Sequence, residues 1–275
     1  MSIILSVADK EFRDGLRNRW VLAISLIFAL LATGLAYFGA AAAGQVGFTS
    51  LPTTLVSLAS LAVFVIPLIA LMLAYDGLVG EDENGTLLLL LSYPLSRWQL
   101  LLGKLLSHGG ILAISTLLGF GAAALIMGLL SDSTPWSELL PAFGFFIISA
   151  VLLGWIFIAF AYVISAAASE KSRAAGLALV TWFLFVLVFD LALLGLLVGT
   201  RGNVDAELLP YLLLLNPTDI FRLLNLAYFA DQPVSGLMSV AQQVRFGPVT
   251  LFASLLAWLL LPTGLALWLF NRRTL

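Results

Sequence analysis

The chain contains no cysteine and a single histidine, His108. The first absence rules out a disulfide framework and any thiolate metal site. Charge is scarce as well. Thirteen Lys and Arg and 15 Asp and Glu supply only 10% of 275 residues, and no basic run suits nucleic acid. There is no G-x-x-x-x-G-K-[ST], because the one Gly-Lys, Gly103-Lys104, is followed by Leu and has no upstream Gly at that spacing. ATP, if it drives this protein, is bound by another chain. No H-E-x-x-H occurs, and His108 is the one imidazole available as a base. Enzymatic chemistry within the chain is therefore not expected.

What remains is apolar: 61% hydrophobic residues and a mean hydropathy of +1.09. A soluble core of this size could not hide so much apolar surface, so lipid is the solvent for most of the chain. A spanning helix needs about 20 mostly apolar residues. Six stretches qualify, near 20–42, 53–76, 105–130, 139–166, 174–199 and 248–270. The expected fold is all-α and polytopic, a single transmembrane domain over 1–275. The N-terminus interleaves charge with apolar residues and shows no cleavage site, so it is expected to be retained.

Positive charge sets the orientation. Lys10, Arg13, Arg17, Arg19, Arg97, Lys104, Lys171, Arg173, Arg272 and Arg273 fall on one side of the six-span layout. Only Arg201, Arg222 and Arg245 fall on the other. Both termini and segment 80–104 are thus expected in the cytoplasm, with 200–247 facing outward. A seventh span over 208–229 would carry Pro210, Asn216-Pro217, Asp219 and Arg222, and each ionised group at the bilayer centre costs roughly 2.5–3.5 kcal/mol. That layout is rejected.

Ile4, Ala8, Phe12, Leu16 and Trp20 recur at i+4, so 1–19 is read as an amphipathic interfacial helix. In 200–247, two apolar pieces flank Asn-Pro-Thr-Asp. Asn216 suits a cap, Pro217 the first helical position and Asp219 the positive end of the dipole. This predicts a broken helical hairpin, either a lid on its own spans or a platform for an external partner. Asn216, Pro217, Asp219, Phe221 and Arg222 are its candidate docking residues. Asp190 is the clear intramembrane charge, and Gly195 and Gly199 make G-x-x-x-G on the same span. These residues nominate span five as a dimer seam. Met72, Met127 and Met238 are too scattered for a copper relay, and they and His108 read as packing residues.

Segment 80–104 is the most informative: GEDENGTLLLLLSYPLSRWQLLLGK. Gly85-Thr86 opens a short helix over 87–93, Pro94 breaks it, and Ser96 with Gln99 is a capping-box pattern that starts the next. A short cytoplasmic helix, a sharp corner and a rod into the membrane together form a lever. The wording resembles the Glu…Gly-Thr-Leu-x-Leu-Leu-Leu-Ser-x-Pro-x-Ser-Arg-x-x-x-Leu-x-Gly-Lys stretch of ABC-2-type permeases, with Glu83, Gly85, Thr86, Ser92, Pro94, Arg97, Gly103 and Lys104 as matching positions. The resemblance covers essentially the whole chain. It implies a multi-pass protein of the bacterial inner membrane, a homodimer engaged by two cytoplasmic ATPase subunits that bind ATP and Mg. Glu83, Gly85, Thr86, Leu87, Leu90, Ser92, Tyr93, Pro94 and Arg97 would form the coupling surface. SYPLSRWQ and LNPTDIFRLLNL further resemble the permeases of nitrous-oxide reductase maturation, which implies a periplasmic copper-handling partner and no cofactor in this chain. Export of a lipid, glycan, drug or small sulfur species, or action as a stand-alone channel or secondary transporter, are the alternatives.

Overall fold

A computed structural model describes residues 3–17, 19–38, 50–131, 134–200, 209–229 and 246–273. The described chain is helical throughout. Helices α1 (Ile3–Arg17), α2 (Arg19–Phe38) and α3 (Leu51–Ala74) are followed by two short ones, α4 (Val79–Glu83) and α5 (Thr86–Ser92). Long helices α6 (Arg97–Leu130) and α7 (Trp136–Ala167) come next. Then α8 (Lys171–Phe183), a π-helical turn (Leu184–Val188) and α9 (Phe189–Gly199) form one continuous rod. The last elements are α10 (Leu209–Leu213), α11 (Pro217–Phe229) and α12 (Pro248–Arg272).

Five of these are long and apolar enough to cross a bilayer: Leu51–Glu83, Arg97–Leu130, Trp136–Ala167, Lys171–Gly199 and Pro248–Arg272. The first expected span appears as α2, in which Leu26–Phe38 is a shorter apolar helix. Over 209–229 the chain forms two short helices, neither able to span. The sequence boundaries near 53, 139, 174 and 248 agree with the helices. The third differs: α6 begins at Arg97, so at 34 residues it is about 51 Å long against about 30 Å of hydrocarbon. Its first two turns, from Arg97 to Lys104, belong to the corner that α4 and α5 form.

The core sits around α7, which packs against α12, α3 and α6, while α1 and α2 lie along α6. Phe120, Phe146, Phe157 and Tyr162 are fully buried there. Gly103 lets α1 approach, since a Cβ at that position would sit 2.8 Å from the Val7 side chain and 3.1 Å from the Ile4 carbonyl. The Gly of the family-like Gly-Lys pair is thus a helix-packing residue. Hydroxyls on the apolar helices that are not fully buried are satisfied within their own helices: Ser57, Ser60, Thr181, Ser254 and Thr263 each donate to the carbonyl four residues earlier.

Burial is uneven. Of the apolar stretch in Trp136–Ala167, 61% is buried within the chain, against 17% in Lys171–Gly199. Leu191, Leu194 and Val198 are exposed on that rod, and a Cβ on Gly195 or Gly199 would meet nothing within 4 Å.

Candidate functional site

The chain leaves α3 through a turn at Tyr75–Leu78 and enters α4. There the Leu78 and Val79 amides donate to one acceptor, the buried Ser165 hydroxyl near the end of α7, at 3.0 and 3.1 Å. The three consecutive acids of α4 then reach different helices. Glu81 meets Lys104 of α6 at 2.7 Å, and Lys104 also meets Glu11 of α1 at 3.1 Å. Asp82 takes Arg273, beyond α12, at 2.6 and 3.1 Å. Glu83 accepts from the Lys171 amide at 2.6 Å, capping α8, and the Lys171 ammonium pairs with Asp76 at 2.6 Å.

Two arginines complete the binding of this corner. Arg273 donates from Nη1 to the Ser165 and Ala166 carbonyls at 2.9 and 3.3 Å, satisfying the last turn of α7. Arg97, at the start of α6, donates to the carbonyls of Phe270 and Arg273 at the end of α12 and lies over the Phe270 ring at 5.3 Å. Lys104 is only 2% exposed and meets two carboxylates from different helices within that enclosure. Burial alone would raise the Glu11 carboxyl, but the Lys104 and then Lys10 ammonium groups hold it below its ordinary range.

The five leucines occupy α5. Gly85 precedes it with φ 69°, a left-handed conformation that a side chain disfavours by roughly 1–2 kcal/mol. Thr86 does not cap the helix. Its hydroxyl donates instead to the Glu81 carbonyl at 3.1 Å, fastening α5 to α4. Leu87 is buried and Leu90 half-buried, but Leu88 and Leu89 are 58% and 62% exposed and Tyr93 is 63% exposed. Pro94 and Ser92 are exposed too, the latter with its hydroxyl on the Leu89 carbonyl at 2.7 Å. At the start of α6 the expected capping box of Ser96 and Gln99 forms, with the Gln99 side chain accepting from the Ser96 amide at 3.0 Å.

The structure thus divides the predicted coupling residues. Leu88, Leu89, Tyr93, Pro94 and Trp98 face outward, and Leu88, Leu89 and Trp98 were not among the residues singled out. Glu83 and Arg97 spend their charges on intramolecular contacts that hold the corner in place.

A second polar cluster lies toward the other end of the bundle. Asp190 is 19 residues past the start of α8, about 28 Å along the rod. Asn216 precedes α11 and its Oδ1 accepts from the Thr218 amide at 3.0 Å, as an N-cap does. Pro217 occupies the first helical position. Asn216 Nδ2 donates to Asp219 and to the Phe185 carbonyl, both at 2.9 Å, and the Thr218 hydroxyl donates to the same carbonyl at 3.3 Å. Phe185 belongs to the π-helical turn, which breaks the regular i→i−4 ladder and leaves this oxygen available. Arg222 Nη1 bridges Asp190 at 2.6 Å and Asp219 at 3.1 Å. Deeper in α11, buried Asn225 bonds the Ser149 hydroxyl of α7 at 3.1 Å.

Asn216, Pro217, Asp219 and Phe221 are buried in this conformation and Arg222 is largely covered, while Tyr211, Leu215, Ala227 and Tyr228 are exposed beside them. Asp190 binds Arg222 of its own chain, and the exposed leucines with Gly195 and Gly199 form an open face of that rod. Of the soft-metal candidates, Met127 is buried in the core, Met72 packs against it, and Met238 lies outside the described residues. His108 Nδ1 is 2.7 Å from the Tyr162 hydroxyl.

A family model described as "ABC-2 family transporter protein" matches residues 5–275. The chain belongs to the ABC-2 transporter family. It is 57% identical over 274 residues to a protein of Stutzerimonas stutzeri named "Probable ABC transporter permease protein NosY", covering 99% of both chains. Over 273 residues it is 56% identical to a protein of the same name from Pseudomonas aeruginosa, again with 99% of each covered. As an ABC-2 permease resembling these NosY proteins, the chain is a multi-pass membrane subunit of an ABC transporter.

Proposed function

We propose that this permease is the homodimeric membrane half of an ABC transporter in the bacterial inner membrane, driven through α5 by a separate cytoplasmic ATPase. The observation that carries the reading is the two-faced corner. One face of α4–α5 is bound by ion pairs and hydrogen bonds to α6 and, through Lys104, to α1, as well as to α7, α8 and the end of α12. The other face, continued by the start of α6, leaves Leu88, Leu89, Tyr93 and Trp98 exposed among the described residues. A force applied to those side chains would pass to the bundle as a rigid displacement, because no flexible loop intervenes. The second protomer would lie against the open face of α8–α9.

On this reading the output appears at the far end, where a periplasmic partner handles copper for nitrous-oxide reductase assembly, and no metal crosses the permease. The names of the NosY relatives and the packing roles of Met72, Met127 and His108 support it. Affinity purification of a tagged permease from its native membranes tests it. The expected eluate contains a nucleotide-hydrolysing subunit at one copy per permease, and substituting Met72 and Met127 with leucine leaves copper insertion into the reductase intact. A permease that elutes alone, or loses copper insertion on those substitutions while folded, contradicts the proposal.

A further inference from the structure

The Asp190–Arg222–Asp219 cluster has no task in the coupling scheme above, and its composition is unusual for a static contact. One guanidinium nitrogen serves two carboxylates from different segments, and Asp219 is only 1% exposed. Among the described residues, the helices packed on α11 bring no further charge to the cluster. α3 contains no charged residue, α7 has only Glu138 in its first turn, and α12 has only Arg272 in its last. Facing Asp219 are therefore Asp190 from the α8–α9 rod, Arg222 from its own helix and the amide of Asn216. With both acids ionised the site carries one uncompensated negative charge in a buried setting, which favours binding a proton.

We infer that the π-helical turn of the fifth span and the N-terminus of α11 form a proton-dependent latch, closed when Asp219 is protonated and weakened when it ionises. Burial first, and the neighbouring Asp190 charge second, push the Asp219 carboxyl up to about 7, against the opposing pull of Arg222 and Asn216. The sign follows from linkage. The closed state binds the proton more tightly than an open, hydrated one, so closure is favoured at low pH and lost as pH rises through about 7. The π-turn gives the latch its receptor. The Phe185 carbonyl holds Asn216 and Thr218 when the latch is shut, and an ordinary helical turn could take that oxygen back. The inference does not depend on the ATPase or on copper.

The test uses the absence of native cysteine. Ile220, fully buried and outside the polar cluster, is replaced by cysteine, and a separate Leu215→Cys chain, at an exposed position, serves as the reference. Thiol labelling of the full chain in nanodiscs is read as the ratio of the two rates, which cancels the pH dependence of the thiolate. Between pH 6 and pH 8 the ionised fraction of Asp219 rises about tenfold, and the ratio is expected to rise severalfold with it. In an Asp219→Asn background, which imitates the protonated acid, the ratio stays low at both pH values. Asp190→Asn removes the charge that pushes Asp219 up and the partner that ties Arg222 to the rod, so the ratio is already high at pH 6. A flat ratio in the parent chain overturns the latch. So does a rise in the Asp219→Asn background as large as that of the parent. Should Ile220→Cys fail to fold, Leu224→Cys, also buried on α11, reports the same opening.

Discussion

Lys104→Met is expected to destabilise the permease by about 3 kcal/mol or more, the range found when one partner of a buried ion pair is removed. The ammonium is almost wholly enclosed and holds Glu11 of α1 and Glu81 of α4 at once. Its loss would leave two carboxylates facing each other in a poorly hydrated pocket, and one Glu81 oxygen is already buried without a partner. The measurement is thermal unfolding in detergent together with the yield of folded protein. A purely packing role for Lys104 predicts a smaller loss and no rescue. The charge role predicts that Lys104→Met combined with Glu11→Gln and Glu81→Gln recovers most of it, since neutral groups of the same shape carry no unpaired charge. Failure of the triple variant to recover would remove the electrostatic explanation for how α1, α4 and α6 are joined.

Leu88→Asp with Leu89→Asp should have the opposite profile, with the fold kept and the assembly lost. Both side chains are more than half exposed, and surface substitutions away from buried features usually stay within about 0.5 kcal/mol. Within an apolar interface core, two carboxylates would each have to shed water with no partner supplied, and truncations at interface hot spots commonly cost 2 kcal/mol or more. Two adjacent changes of this kind should weaken ATPase binding at least about a hundredfold, measured by copurification and by coupled ATP turnover. The neighbouring Leu87→Asp serves as contrast. Leu87 is fully buried, so that change should reduce folded yield before binding is in question.

Local structure in this chain was legible because it is set by local chemistry. Span positions follow from uninterrupted apolar runs, and the corner follows from Pro94 with the Ser96–Gln99 pair. The Asn216-Pro217 entry to α11 took the form its residue types require. What could not be read was the choice of partner across distance. Glu81, Asp82 and Glu83 are adjacent in sequence, yet they engage Lys104, Arg273 and the Lys171 amide, which no spacing rule connects. Asp190 stands alone in an apolar span, and its counter-charge Arg222 lies 32 residues later in the long segment between the fifth and sixth spans, which no spacing rule links to it. The π-turn that supplies the Phe185 carbonyl has no marker, since LFVLV is as apolar as the α-helical residues around it. The leucine run likewise fixed the helix but not which leucines would be covered; only packing decides that Leu87 is inside and Leu88 and Leu89 are outside.

The most direct measurement is cysteine crosslinking from position 89 in this otherwise cysteine-free chain. In whole cells, Leu89→Cys should resist a membrane-impermeant thiol reagent, react once the cytoplasmic face is opened, and crosslink to a subunit that hydrolyses ATP. Labelling of intact cells from outside, or crosslinks only to lipid or to polypeptides without nucleotide hydrolysis, would contradict a corner worked by a cytoplasmic motor.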